Sequence, residues 1–198
     1  MDPGSPSIIT LIQDVEDRMR DMKFAYPGAI QEIPPNAPIP RGKSIRMTCF
    51  ADANHASDKI TRRPQSGIII YCNSAPILWY SKRKHTVESS TFGSEFVALR
   101  LATELVMSLR YKLRMFGIPI DEHTDIYCDN ESVYKNLSHV DSQLKKKHNS
   151  ICYHRVREAV AAGTIFFHKV DSTYNLADIL TKSLPCKTRI VIRSKIIL

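Results

Sequence analysis

Apolar residues recur along the chain at two different spacings, and these spacings predict strands followed by a long helix. Three successive strands are predicted in the segments "SIRMTCFAD", "GIIIYCN", which is β-branched and apolar, and "SAPILWYSK", with a hairpin turn around Asn73 and Ser74. Apolar residues at three- and four-residue spacing then predict an amphipathic helix over residues 91–116, which ends before Gly117 and Pro119.

The second half of the chain continues with shorter elements. The pattern predicts a strand in "TDIYCD", a short helix in "NESVYKNLS", a helix in "ICYHRVREAVAAG", a fifth strand in "TIFFHKV" and a final helix in "STYNLADILTKSL". The resulting order, βββ-α-β-α(α)-β-α, indicates the α/β class.

The two ends of the chain lack this regular patterning. Residues 1–43 contain one segment that favours a short helix, "IITLIQDVEDRMRDMKF", and a Pro-rich linker, so we place a domain at residues 44–184. The tail of residues 185–198 has an Ile/Val run that predicts either an extra strand or an unpacked extension.

Composition narrows the class of protein. The chain has 198 residues and a net charge of +8, which suits one domain and favours either a polyanionic partner or a solvated basic surface. Its five cysteines show no zinc-ligand spacing and are typical of reduced, buried thiols inside a cell. No apolar run has the ~18 residues of a membrane span, so no membrane partner is expected.

Four acidic residues occupy positions that are unusual for purely structural carboxylates. Asp52 and Asp129 end the first and fourth predicted strands, Glu95 lies on the inward side of the long helix, and Asp178 lies inside the last helix. Each alone fits a turn, a cap or an exposed position. If the two strands are neighbours and the helix packs over them, all four carboxylates meet at one edge of the sheet.

Carboxylates that meet in this way repel one another unless protons or cations neutralise them. Hard oxygen ligands suit Mg²⁺, or Mn²⁺ in its place, and two such ions about 3.5–4 Å apart can stabilise the attacking and leaving oxygens of a displacement at phosphorus. The sequence therefore predicts a metal-dependent phosphodiester hydrolase as one reading of the cluster.

Several blocks around these residues, in the same order, resemble the ribonuclease H domain of Ty1/copia-type retrotransposon polyproteins. They are "CFADANHASD", "TRRPQSGIIIY", "ILWYSKRKHTVESSTFGSEFVALRLA", "LRYKLRMFGIPI", "IYCDNESV", "KKKHNSICYHRVREAV" and "NLADILTKSL". The resemblance covers roughly residues 44–184 and implies the ribonuclease H-like fold, a five-stranded mixed sheet flanked by helices.

The resemblance also implies a catalytic role for the four acids. The metal ligands of the family match Asp52, Glu95, Asp129 and Asp178, and the implied activity is endonucleolytic cleavage of the RNA strand in RNA/DNA hybrids with two Mg²⁺ or Mn²⁺ ions. The implied partners are the hybrid and the polymerase domain of a parent polyprotein. The implied location is intracellular, in a cytoplasmic virus-like particle or the nucleus.

The sequence departs from the family pattern at three points. Asn54 replaces the second acid of the family's "DAD" block, and Gly93 and Ser94 stand before Glu95 where an acid is frequent. His168 comes too early for the loop histidine of many cellular enzymes and falls inside the fifth predicted strand. No polymerase motif "YxDD" is present, which we interpret as a fragment of a polyprotein or the reading frame of a decayed element.

Candidate nucleic-acid contacts form a separate set. We expect phosphate contacts from the basic run Lys145, Lys146, Lys147 and His148, and a weaker contribution from the run at residues 82–85. Asn130 and Ser90 are candidates for contacts with the nucleic-acid backbone or the 2′-hydroxyl of RNA, although the sequence favours helix capping for both. Trp79 and Tyr80 are expected in the core.

Two alternatives to an active ribonuclease H remain at this level. A catalytically silent module that binds hybrids, or a decayed remnant, would have the same fold without turnover. A DDE integrase or transposase shares the sheet, but its glutamate follows the aspartate of the fourth strand, whereas Glu95 precedes Asp129 here.

Overall fold

A five-stranded mixed sheet forms the centre of the protein. The structure, a computed structural model, describes residue 17 and residues 20–54, 63–83, 91–140 and 150–196. The strands are β1 (Met47–Asn54), β2 (Gln65–Cys72), β3 (Ala75–Arg83), β4 (Thr124–Cys128) and β5 (Ile165–Lys169), in the spatial order β3-β2-β1-β4-β5. The first three strands are antiparallel, and β4 and β5 run parallel to β1.

Helices cover both faces of this sheet. They are α1 (Thr91–Met115), α2 (Glu131–Ser138), α3 (Ser150–Ala161) and α4 (Cys186–Ile196), with two 3-10 helices, η1 (Ser172–Tyr174) and η2 (Leu176–Leu180), between β5 and α4. The main core lies between the sheet and the helices α1 and α3, whose buried residues include Phe96, Leu99 and Val156. A smaller cluster on the other face joins Ile69 and Tyr71 of β2 to Leu176 and Ile192.

The strand and helix pattern of the middle of the chain is confirmed. The predicted hairpin turn lies at Asn73, which has a positive φ of 53°, and α1 ends at Gly117 with a φ of 69°. Pairing with β2 on one side and β4 on the other places β1 at the centre of the sheet, and α1 packs across it. The ribonuclease H-like architecture expected from the resemblance is therefore the architecture observed.

Three predictions near the C-terminal end and the sheet edge are wrong. The predicted final helix is replaced by η1 and η2, because the side chains of Asp171 and Asn175 each cap a new short helix. The tail forms α4 instead of a strand or an unpacked extension, and its Ile192 is buried. Trp79 is 70% exposed because it lies on the outer face of the edge strand β3.

The cysteines and the N-terminal segment differ in part from their expectations. The thiols of Cys49, Cys128 and Cys152 are free and buried, but Cys186 is exposed. A short helix over residues 20–25 places Met22 in the main core, so at least this residue packs against the predicted domain. The boundary near residue 43 stays a prediction. No described helix combines the length and the apolar character needed to cross a membrane.

Candidate metal centre

Two of the four predicted acids meet because their strands are parallel neighbours. In the β1–β4 ladder Phe50 pairs with Tyr127, and the same register continued by two residues sets Asp129 beside Asp52. The Asp52 residue is 1% exposed, and the side chain of Asp129 is 14% exposed. The sheet edge therefore holds two carboxylates in a largely dry environment.

Asp178 joins them because η2 packs directly on β2. Gly67 pairs with Asp52 in the sheet, and a Cβ at Gly67 would lie 2.9 Å from the carbonyl oxygen of Ala177. Glycine is therefore needed for this close approach. Asn175 fixes the start of η2, because its Nδ2 donates to the Ala51 carbonyl and its Oδ1 accepts from the Ala177 amide. These contacts position Asp178 beside the end of β1.

Glu95 approaches the same edge from the second turn of α1. It is 5% exposed, and its carboxyl group accepts a hydrogen bond from the backbone of Ala53. It also interacts electrostatically with Asp52 and Asp129. Glu95 thus points inward because it faces the ends of β1 and β4, where Asp52 and Asp129 lie.

A compact group of ligand atoms is formed by three of these four acids. Within the part of the chain that the structure describes, Asp52, Asp129 and Asp178 each offer one carboxylate oxygen, and these oxygens lie within 4.8 Å of one another. Glu95 is beside this group but is not a member of it. Three hard oxygen donors in this arrangement fit a divalent metal ion.

Lys182, which the sequence analysis did not single out, contacts all three aspartates of the group. Its Nζ is 2.8 Å from Asp178 Oδ1, 3.3 Å from Asp52 Oδ1 and 3.8 Å from Asp129 Oδ2. Thr181 adds a hydrogen bond from its Oγ1 to Asp52 Oδ2. The position of Lys182 four residues after Asp178 was the available signal, because on a helical turn that spacing brings two side chains together.

Burial, together with the charges of neighbouring acids, raises the pKa of three of the four acids. Burial, with the charges of Asp52 and Asp129, raises the pKa of Glu95 to about 9. Burial likewise raises the pKa of Asp178 to about 6, although its hydrogen bond with Lys182 opposes the increase. The pKa of Asp129 is also raised, by burial and by Asp52. A cation at this edge would favour the ionised form of each carboxylate.

Lys182 responds in the opposite way to the same environment. Burial would lower its pKa, but the hydrogen bond to Asp178 and the charges of the three aspartates outweigh burial and raise the pKa. Its ammonium group is therefore charged in the cluster.

The predicted nucleic-acid contacts lie mostly beyond the described residues. Lys145, Lys146, Lys147, His148 and Ser90 fall outside them, as do Lys84 and His85, so their contacts stay predictions. Asn130 is described, and its side chain caps α2 by accepting from the Val133 amide at 3.1 Å. This is the capping role that the sequence favoured for it.

His168 belongs to β5 and takes part in a different cluster. Its Nε2 is 2.7 Å from Asp125 Oδ1, and Arg46 donates to Asp125 Oδ2 at 2.7 Å. These contacts, together with a hydrogen bond from His123, outweigh burial and hold the pKa of Asp125 far below its usual range. His168 is thus tied to Asp125, which lies four residues before Asp129 on β4.

Comparisons with known proteins agree with this fold. No protein-family model matches the chain. The chain is 28% identical over 146 residues to the retrovirus-related Pol polyprotein from transposon RE1 of Arabidopsis thaliana. The aligned region covers 74% of this chain and 10% of that polyprotein. The chain is also 28% identical over 136 residues to the corresponding polyprotein from transposon TNT 1-94 of Nicotiana tabacum, covering 69% and 10%.

Solved structures give the same fold at low sequence identity. The N-terminal ribonuclease H domain of a Mycobacterium tuberculosis protein matches with a TM-score of 0.55 and 13% identity, over 76% of this chain and 98% of that one. LC11 ribonuclease H1, solved in complex with an RNA/DNA hybrid, matches with a TM-score of 0.54 and 15% identity, over 69% and 94%.

The sheet order and these structural matches define a protein with the ribonuclease H-like fold. More particularly, the sequence relatives confirm the resemblance to the ribonuclease H domain of a retrotransposon Pol polyprotein. The chain spans about a tenth of the length of those polyproteins.

Proposed function

We propose that this protein is a retrotransposon ribonuclease H that cleaves the RNA strand of RNA/DNA hybrids endonucleolytically during reverse transcription. The observation that carries the proposal is the convergence of Asp52, Asp129 and Asp178, with Glu95 beside them, at one edge of a ribonuclease H-like sheet. The related polyproteins support the same biological setting.

The proposed roles follow from the chemistry of the side chains. Asp52, Asp129, Asp178 and Glu95 would hold Mg²⁺, or Mn²⁺ in its place, with two ions as the proposed number. Bound divalent ions supply an activated water and neutralise charge on the phosphate. The proposed reaction needs no nucleophilic side chain, because water is the nucleophile. The hydroxyl of Thr181 orients the Asp52 carboxylate by a hydrogen bond.

The proposed substrate is recognised through its backbone. The net charge of +8 favours a polyanion. We assign phosphate contacts to Lys145, Lys146, Lys147 and His148. We assign contacts near the cleaved strand to Ser90 and to the side-chain amide nitrogen of Asn130, whose Oδ1 caps α2. A polymerase domain of the parent polyprotein is the proposed neighbour, and the proposed setting is intracellular.

Replacing one ligand tests this function directly. Asp129→Asn should abolish Mg²⁺-dependent cleavage of a labelled hybrid, a fall of at least about 100-fold, because it removes an anionic ligand while keeping nearly the same shape. Glu158→Gln is the matched control, because Glu158 is an exposed acid on α3. Duplex DNA and duplex RNA serve as competing substrates. Equal cleavage by Asp129→Asn and wild type would refute the assignment.

A catalytically silent module that binds hybrids is the second candidate. The contacts of Lys182 favour it, since the ammonium already neutralises part of the acidic group. Hybrid binding by the wild-type protein without cleavage in either Mg²⁺ or Mn²⁺ would support this candidate over the nuclease.

A further inference from the structure

The ammonium group of Lys182 contacts three carboxylates at once. Lys182 lies two residues after the end of η2, and its Nζ is within 3.8 Å of an oxygen from each of Asp52, Asp129 and Asp178. Its side chain is 33% exposed, whereas those of Asp52 and Asp178 are 1% and 9% exposed. The ammonium therefore reaches inward from the surface to buried acids.

An ordinary surface ion pair does not account for these contacts. A lysine four residues after an acid typically forms an exposed pair of small energetic value. The Glu131–Lys135 pair on α2 is of that kind, with side chains 48% and 62% exposed. Lys182 differs because two further acids, contributed by β1 and the end of β4, share its ammonium.

The ammonium and a metal ion would need overlapping space. Asp178 Oδ1 and Asp52 Oδ1 lie 2.8 Å and 3.3 Å from Nζ. The same three aspartates form the group that fits a divalent ion. Mg²⁺ binds oxygen at about 2.0–2.1 Å, so an ion among these oxygens would come too close to an ammonium that stayed in place. Like charges at such a distance repel strongly.

We propose that Lys182 is a positioning residue that acts as a tethered cation: it holds Asp52, Asp129 and Asp178 together in the metal-free protein and must withdraw when a divalent ion binds. This inference rests on the proposed function, because it assumes a metal site at the acidic group. Its partly exposed side chain has an outward path. Lys182 thus stabilises the metal-free site and lowers its apparent affinity for metal.

Lys182→Met tests the competition, because methionine keeps a flexible apolar stem of similar length and removes the charge. The measurements are the Kd for Mn²⁺ by isothermal titration calorimetry and the thermal midpoint in EDTA. We expect a roughly tenfold lower Kd for Mn²⁺, within the usual range of coupling between two sites, together with a lower midpoint without metal. Lys135→Met is the matched control and should change the Kd by less than about twofold.

The outcomes separate this inference from the proposed function. An unchanged or higher Kd in Lys182→Met, with Mn²⁺ binding by wild type that Asp129→Asn abolishes, would overturn the inference and leave the metal site standing. Failure of wild type to bind Mn²⁺ at all would overturn the proposed function and the inference with it.

A second variant keeps the test decisive if Lys182→Met does not fold. Lys182→Arg retains the charge and offers a planar group that binds carboxylates through two donors, so it should keep the midpoint in EDTA and raise the Kd for Mn²⁺ severalfold. A Kd equal to or below that of wild type in this variant would overturn the inference.

Discussion

Neutralising Glu95 should change the way in which stability depends on pH. Glu95 is 5% exposed, and burial beside Asp52 and Asp129 raises the pKa of its carboxyl group from 4.5 to about 9. The folded, metal-free protein therefore keeps a proton that the unfolded chain releases. The stabilising effect of that proton is fully present below pH 4.5 and is lost as the pH rises towards about 9.

The size of the effect follows from proton linkage. A difference of one bound proton changes the free energy of unfolding by at most about 1.4 kcal/mol per pH unit, so Glu95 accounts for a loss of up to about 4 kcal/mol between pH 5 and pH 8. Glu95→Gln removes the titrating group and keeps nearly the same volume. The variant should gain stability relative to wild type by that amount over the same interval.

Urea unfolding followed by circular dichroism, in EDTA at pH 5, 6, 7 and 8, measures this difference. Glu158→Gln is the control, because Glu158 is exposed on α3 and its replacement should leave the pH dependence unchanged. Parallel curves of stability against pH for wild type and Glu95→Gln would show that Glu95 is ionised in the metal-free fold. That result would refute the burial of Glu95 beside Asp52 and Asp129 as the cause of a raised pKa.

Two further predictions concern how Asp178 reaches the site. Gly67→Ala should lower the free energy of unfolding by about 1–3 kcal/mol through overpacking, since the added Cβ would lie 2.9 Å from the Ala177 carbonyl oxygen; an unchanged denaturant midpoint would contradict the close packing of η2 on β2. Asn175→Ala should cost about 1–3 kcal/mol, because the amide that bonds the buried Ala51 carbonyl is lost. It should also weaken Mn²⁺ binding measured by calorimetry, and full retention of that affinity would argue that Asp178 does not depend on this anchor.

Two of the wrong predictions, for the tail and for the segment around Asp178, have different physical causes. The Ile/Val-rich tail favours a strand by local propensity, but Ile192 is buried at 1% exposure on the second face of the sheet, against Tyr71 and Leu176, and the tail packs there as a helix. Strand propensity depends on the surroundings and is readily overridden by packing. The segment around Asp178 was predicted as one helix, but the side chains of Asp171 and Asn175 divide it into two short ones.

The sequence by itself determined the order of the five strands and of the helices α1 to α3, the turn at Asn73, the end of α1 at Gly117 and the four candidate acids. These features are local, because spacing, capping and turn chemistry act over a few residues. Only the tertiary structure decided that Lys182 lies among three aspartates and that Gly67 admits η2 beside β1. Such contacts join residues up to 130 positions apart, and packing of the sheet against η2 creates them.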